Sequence, residues 1–279
     1  MEHRPFALVG LMGWPVAHSR SPAIHNHWMA EQGLQGAYVL LPVAPANLAQ
    51  ALRALPVMGF AGCNLTIPHK VAAMALVDSV DATARRIGAI NTVVVQADGS
   101  LAGFNTDGFG YVHSLMHEQP DWRADAGPAV VIGAGGAARA VLVSLLEQGA
   151  RDIRLCNRSE DKARQLAAEL GDPILAVPWS ERHAALAGAA LLVNTTSQGM
   201  SGQTALDLSL EALPADALVS DLVYVPMQTP LLLAARLRGN PTVGGLGMLL
   251  HQAQAAYASW FGTTPTVSAA LRAKVERSL

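Results

Sequence analysis

Apolar residues in this chain fall into short runs broken by Gly, Pro, Asn and Asp, and the pattern changes near Gly127. Before that point, residues 6–12, 38–42 and 62–67 read as strands. Residues 91–96, an Asp98-Gly99 turn and residues 101–104 read as a hairpin. Ser21-Pro22 reads as a helix start, with Ser as the N-cap and Pro at the first helical position. That helix would run through Ile24, Trp28 and Met29 to about Gly33, and residues 48–55 form another. Beyond Gly127, the short apolar run 130–132 leads into Gly133-Ala134-Gly135-Gly136 and a helix over 137–148. Runs at 153–156, 191–194, 218–223 and 242–243 follow, with a charged helix over 161–170 and an amphipathic one over 248–260. Strands alternating with helices imply a parallel sheet with right-handed crossovers.

Composition narrows the class. At 279 residues, 51% hydrophobic and 14% charged, the chain is globular and long enough for two α/β domains. Its net charge of -2, without a basic patch, argues against nucleic acid. Cys63 and Cys156 are the two cysteines, with no metal-ligand spacing, so a reducing cytoplasm is expected. No apolar stretch reaches the ~18 residues of a membrane span. Arg4 and the apolar residues after it faintly resemble a leader, but Gly10, Gly13 and Pro15 break the run.

The glycine-rich turn carries the first chemical signal. Gly133 through Ala138 fits G-x-G-x-x-A between a buried strand and a helix. Gly133 permits the tight turn, Gly135 lets backbone N–H groups reach a pyrophosphate, and Ala138 keeps helix and strand close. An NAD site usually has an acid ~20 residues further on, bonding the ribose 2′-hydroxyl. Here the second strand ends Cys156-Asn157-Arg158-Ser159. Arg158 offers a fork for a 2′-phosphate, Ser159 a hydroxyl and Lys162 further charge.

The first half carries hydroxyls and amides at the expected strand ends: Ser19, Ser21, Asn64, Thr66, Asn91, Thr92 and Asn105, with Lys70 and Asp107. Such a set suits a polyhydroxylated ligand beyond the carboxyl ends of strands. Singly, each has an ordinary reading. Ser21 could be only a cap, Asn91 and Asn105 turn residues, Asp107 a cap for the segment from Gly108, and Lys70 a surface lysine. His18, His25, His27 and His69 lack a carboxylate or thiolate at ligand spacing, so no metal is expected and they read as surface or partly buried histidines.

Taken in order, these motifs resemble the shikimate dehydrogenases. The resemblance rests on residues 17–22, 64–70, 88–92, 105–108, 133–138, 157–159, 194–196, 221–224 and 245–249. It implies an α/β chain: an N-terminal substrate domain (1–107 and 248–279), an NADP-binding Rossmann domain (108–247), and C-terminal helices returning to the first. It implies Lys70 and Asp107 as the catalytic pair, with Ser19, Ser21, Thr66, Asn91, Tyr224 and Gln252 also holding substrate. Gly133, Ala134, Gly135, Gly136, Ala137, Asn157, Arg158, Ser159, Lys162 and Thr195 would bind NADP, with Leu222 and Gly245 near its nicotinamide. The implied reaction reduces 3-dehydroshikimate to shikimate with NADPH, reversibly, on the route to chorismate and the aromatic amino acids. The expected form is a monomer or homodimer. One departure stands out: relatives commonly have Asp-Gly before Leu-Gly-Met, and this chain has Gly244-Gly245. Three alternatives stay open: an NAD-preferring quinate/shikimate dehydrogenase, a non-catalytic dinucleotide sensor on this fold and, more distantly, a methylenetetrahydrofolate dehydrogenase.

Overall fold

The computed structural model describes residues 6–279, so Arg4 lies outside the described residues. The chain divides into two compact units: one runs up to Thr106 and resumes at Leu250–Leu279, and the other is Asp107–Leu249.

In the first unit the order is β1 (Ala7–Gly13), α1 (Ser21–Glu31), β2 (Gly36–Pro42), α2 (Leu48–Ala54), β3 (Phe60–Leu65), β4 (Ser79–Val80), α3 (Ala82–Ile87), β5 (Thr92–Val95) and β6 (Leu101–Phe104). The sheet order is β2-β1-β3-β5-β6-β4. β1 runs parallel to β2 and β3, whereas the hairpin β5–β6 brings in antiparallel pairs. Ser21 is not the N-cap expected of it. Arg20 holds that position without a side-chain cap bond, and Ser21 is the first helical residue. β3 ends at Leu65, earlier than expected, which leaves Thr66 to Lys70 in a loop. Met12, Leu52, Leu65, Ile90, Val93 and Leu101 form the core beneath this sheet.

The second unit holds α4 (Asp107–Glu118), β7 (Ala129–Ile132), α5 (Gly136–Glu147), β8 (Ile153–Cys156), α6 (Glu160–Leu170), β9 (Ile174–Val177), β10 (Leu191–Asn194), β11 (Leu218–Asp221), α7 (Pro230–Leu237) and β12 (Thr242–Val243). Asp107 falls here rather than in the first unit because it opens α4. The order β12-β11-β10-β7-β8-β9 is joined by parallel pairs throughout. Both faces are covered, as a parallel sheet requires. Val131, Leu155 and Val193 point into one apolar cluster, and Val130, Ile132, Leu192 and Val219 into the other.

α8 (Leu246–Phe261) carries the chain back into the first unit, where α9 (Ala269–Glu276) ends it. Two buried-side anchors fix this return. Trp28 Nε1 donates to the Thr266 carbonyl (2.9 Å) and Trp260 Nε1 to that of Val93 (2.9 Å). Among the described residues, no helix is long and apolar enough to cross a membrane.

Candidate active site

One edge of the first sheet gathers Asn64, Asn91 and Thr92 of the expected polar set, together with Thr106. The carboxyl ends of β1, β3 and β6 lie there, and antiparallel pairing brings the start of β5 to the same edge, with Thr92 opposite both Asn64 and Phe104. The side chains at this edge form a continuous network. Asn64 Nδ2 donates to the Asn91 carbonyl (3.1 Å) and to Thr92 Oγ1 (3.1 Å). Thr92 Oγ1 donates to Asn91 Oδ1 (2.9 Å), which also accepts the Thr106 N–H (2.9 Å). Asn91 Nδ2 in turn donates to Thr106 Oγ1 (3.1 Å).

A carbonyl can only accept, so the Asn91 carbonyl fixes which way the Asn64 amide faces. Asn64 Oδ1 must then take a donor, and the buried Tyr38 hydroxyl supplies it at 2.8 Å. Ser21 bonds the Tyr38 hydroxyl and accepts from Ser19 Oγ (3.2 Å). The network thus runs from Ser19 to Thr106. From the sequence alone Tyr38 is only a strand residue. Burial raises its hydroxyl pKa well above the usual range, so it stays a neutral donor.

Lys70 sits half-buried in the loop after β3. Its carbonyl accepts from the Ile90 N–H (2.9 Å), and the Thr66 N–H donates to the Met12 carbonyl (3.0 Å), so both ends of the segment are tied to neighbouring strand ends. The adjacent His69 is buried with Nε2 2.8 Å from the Val43 carbonyl. That nitrogen must donate, which makes His69 an anchor for the loop. Gln252 lies half-buried on α8 within the same unit. Asp107 and Tyr224 belong to the second unit. Asp107 is buried and follows directly on Thr106, whose backbone the Asn91 amide holds.

In the second unit, the glycine-rich turn has the shape a pyrophosphate needs. Gly133 has φ +113°, and a Cβ there would strike Thr195 Oγ1. Gly135 and Gly136 open onto empty space, with nothing within 4 Å of a built Cβ. Gly135 is the N-cap of α5 and offers no side chain, so the first N–H groups, including that of Ala137, face an anion unshielded. A cavity of about 240 Å³ at this edge is lined by Gly133, Ala134, Gly135, Asn157, Arg158 and Thr195, and also by Trp179. These residues fit a dinucleotide phosphate chain. No acid competes at the end of β8: Glu160 accepts from the Trp179 N–H (3.1 Å) and from Arg164 (3.2 Å), and Asp161 from Arg164 (2.7 Å). Arg158, Ser159 and Lys162 are exposed.

Next to Leu222, one of the expected nicotinamide-end residues, lies a buried carboxylate. Asp221 Oδ1 accepts from Asn194 Nδ2 (3.0 Å) and the Val223 N–H (3.1 Å), and its Oδ2 from Thr229 Oγ1 (2.7 Å). Burial outweighs these bonds and pushes the Asp221 pKa up to about 6. The loop carrying Leu222 and the half-buried Tyr224 starts from this staple. Gly245 lies so close to the Leu222 carbonyl that a side chain there would collide with it. At Gly244 a Cβ would make only ordinary contact with Leu232 (3.6 Å), so the turn does not require glycine there.

The histidines divide differently from expectation. His25 is wholly buried, stacked on Tyr38 with ring centroids 4.2 Å apart, and burial lowers its pKa to about 3. Among the described residues, no three His, Cys, Asp or Glu come together as a metal-ligand set. Cys63 and Cys156 are buried free thiols whose pKa values burial raises, so neither is a ready nucleophile. Sequence reading missed Tyr38 as the donor behind the network and Trp179 as part of the cavity. In the sequence Trp179 shows itself only as an aromatic residue just past the short strand β9.

The chain is similar to known proteins. The family described as "Shikimate dehydrogenase substrate binding domain" matches residues 11–93, and that described as "Shikimate / quinate 5-dehydrogenase" matches residues 118–204. A shikimate dehydrogenase (NADP(+)) of Paramagnetospirillum magneticum is 56% identical over 96% of this chain and 97% of its own. The shikimate 5-dehydrogenase of Thermus thermophilus, solved in complex with NADP(H) and shikimate, superposes with a TM-score of 0.88 at 37% identity, covering 98% of this chain and 100% of that one. A quinate dehydrogenase from Corynebacterium glutamicum, solved in complex with NAD, gives a TM-score of 0.90 at 32% identity, covering 96% and 98%. This chain belongs to the shikimate dehydrogenase family.

Proposed function

We propose that this chain catalyses the reversible NADP-dependent reduction of 3-dehydroshikimate to shikimate, a step toward chorismate and the aromatic amino acids, with Lys70 and Asp107 managing the proton. The observation that carries this reading is the locked hydroxyl and amide network from Ser19 to Thr106, which ends at the residue before Asp107. A polyol needs fixed donors and acceptors, and this edge supplies them. The relatives' shared name, shikimate dehydrogenase (NADP(+)), supports it.

Bound NADPH supplies the hydride that reaches the ketone carbon. Lys70 gives the proton that the ketone oxygen gains, and its charge stabilises the developing alkoxide. Asp107 accepts a hydrogen bond from a substrate hydroxyl and steadies the ammonium. Ser19, Ser21, Thr66, Asn91, Tyr224 and Gln252 hold the rest of the substrate. The turn from Gly133 to Ala137 takes the pyrophosphate. Asn157, Arg158, Ser159 and Lys162 take the 2′-phosphate side, and Thr195, Leu222 and Gly245 the remainder. The setting is the cytoplasm, the partners are small molecules rather than nucleic acid or membrane, and the working form is a monomer or homodimer. The test is Lys70→Ala: kcat for shikimate oxidation falls by about 10²–10⁴-fold, the usual contribution of a positioned acid/base, while the NADP+ KM holds. A wild-type kcat in that variant would remove Lys70 from the mechanism.

A further inference from the structure

We propose that the Trp179 ring is the wall on which the cofactor's adenine stacks; this rests on reading the 240 Å³ cavity as the adenosine end of the NADP site. The cavity is smaller than the ~300–1,000 Å³ of a pocket for a whole drug-sized ligand, and so suits one end of a dinucleotide. Its place in the sheet agrees. Ligands of such sheets lie beyond the carboxyl ends of strands, and the ribose-reading residues follow the second strand of the fold, here β8. β9 is the neighbour of β8 on the outer side, and Trp179 stands just past its carboxyl end. The other described residues lining the cavity are small, aliphatic or polar, so Trp179 brings its one aromatic surface.

The ring is also held in place before any ligand arrives. The Trp179 N–H donates to Glu160 (3.1 Å) and its carbonyl accepts from Arg182 (2.9 Å). The Arg182 guanidinium lies 4.6 Å from the ring centroid and is tied in turn to Asp207 (2.5 Å). Trp179 is half-buried, packs against the apolar cluster that includes Ile132 and Leu192, and lines the cavity. A surface fixed this way loses little freedom on stacking. The same contact turns the Glu160 carboxylate toward Trp179 and Arg164, leaving Arg158 as the charged group lining the cavity.

The experiment compares wild type with Trp179→Ala, Trp179→Leu, Trp179→Phe and Arg158→Ala. It reads the Kd of 2′,5′-ADP by calorimetry and kcat/KM with NADP+ and with NAD+. Base–aromatic stacking predicts that Trp179→Ala weakens 2′,5′-ADP by about 5- to 100-fold. It lowers kcat/KM by the same factor for both dinucleotides, because both carry adenine. Trp179→Phe keeps the affinity within about threefold, since a face remains to stack on. Arg158→Ala penalises NADP+ selectively. Wild-type affinity for 2′,5′-ADP in Trp179→Ala overturns the proposal, and so does a loss confined to NADP+. Should Trp179→Ala fail to fold, Trp179→Leu, which keeps apolar bulk without the aromatic face, decides by the same two criteria. If neither Trp179→Leu nor Arg158→Ala weakens 2′,5′-ADP, the reading of the cavity has failed as well. If Arg158→Ala alone weakens it, only the Trp179 wall is lost.

Discussion

The ligand-facing edges of the two units follow opposite plans. In the first, Tyr38, Asn64, Thr92, Asn91 and Thr106 bond one another, so each side chain that prepares the site also holds the strands together. In the second, the edge is bare backbone at Gly135 and Gly136, flanked by exposed Arg158, Ser159 and Lys162. A buried hydrogen-bonding group is costly to strand, whereas an exposed one is not. With ligands bound as proposed, the first edge therefore couples affinity to stability, and the second separates them. On the proposed roles of these residues, a single surface change retunes the cofactor side, whereas the substrate side needs several residues altered together.

The largest expected effect tests the separable edge. Arg158→Asp removes the proposed charge-assisted donor for the 2′-phosphate and puts a repulsive carboxylate in its place. The ratio of kcat/KM for NADP+ over NAD+ should fall on the order of a hundredfold or more. The denaturation midpoint should stay at the wild-type value, because Arg158 is exposed. Unchanged selectivity would remove the 2′-phosphate role; a large loss of stability would break the contrast between the edges.

Tyr38→Phe tests the coupled edge with a smaller change. It keeps the ring stacked on His25 but strands Asn64 Oδ1, which has the Tyr38 hydroxyl as its donor. Leaving one buried acceptor unsatisfied costs about 1–3 kcal/mol of stability. Because the same hydroxyl bonds Ser21, the shikimate KM should rise together with the loss of stability, while the NADP+ KM stays put. A destabilised variant with an unchanged shikimate KM would make Tyr38 a packing residue only.

These contrasts explain what could be read from the chain. Lys70, Ser19 and Ser21 stood out only through the family resemblance, whereas the strand-end amides and the glycine turn were legible because each interrupts an apolar run. Tyr38 was not, since its hydroxyl matters only once β3 and β5 are paired in register and Asn64 is turned by the Asn91 carbonyl. Short helices were lost for a related reason. α3, α7 and α9 are fixed by caps at Asp81, Thr229 and Ser268 rather than by a long apolar stripe. α4 was hidden by Gly108 and Gly110, which weaken a helical pattern. Gly108 has a packing reason: a Cβ there would press on the Ala140 carbonyl and on Ser144, both at 3.1 Å. β9 went unread because Leu175 faces solvent, and Trp179 went with it.

The smallest effect concerns the one place where the second unit copies the plan of the first. Asp221 binds Asn194, Val223 and Thr229 as Asn64 binds its partners, but with a carboxylate instead of an amide. Burial raises its folded pKa to about 6, above the ordinary carboxylate range, so the folded state takes up the proton first as pH falls. The sign follows: the protein gains stability as pH drops from about 6 toward about 4, and loses that gain as pH rises through 6. His25 works in the other direction. Its pKa is lowered to about 3, so stability is lost as pH falls below the ordinary imidazole range. Comparing wild type with Asp221→Asn cancels His25 and every other shared group. The Asn oxygen can still accept from Asn194 and Val223, and Thr229 can turn its hydroxyl to accept from the new amide. Urea denaturation at pH 5 and at pH 7.5 should then show wild type losing stability relative to the variant at the higher pH, by on the order of 1–2 kcal/mol. Parallel pH profiles would mean that this carboxylate is as well solvated as a surface one, and that the neutral amide network of the first unit holds no advantage over it.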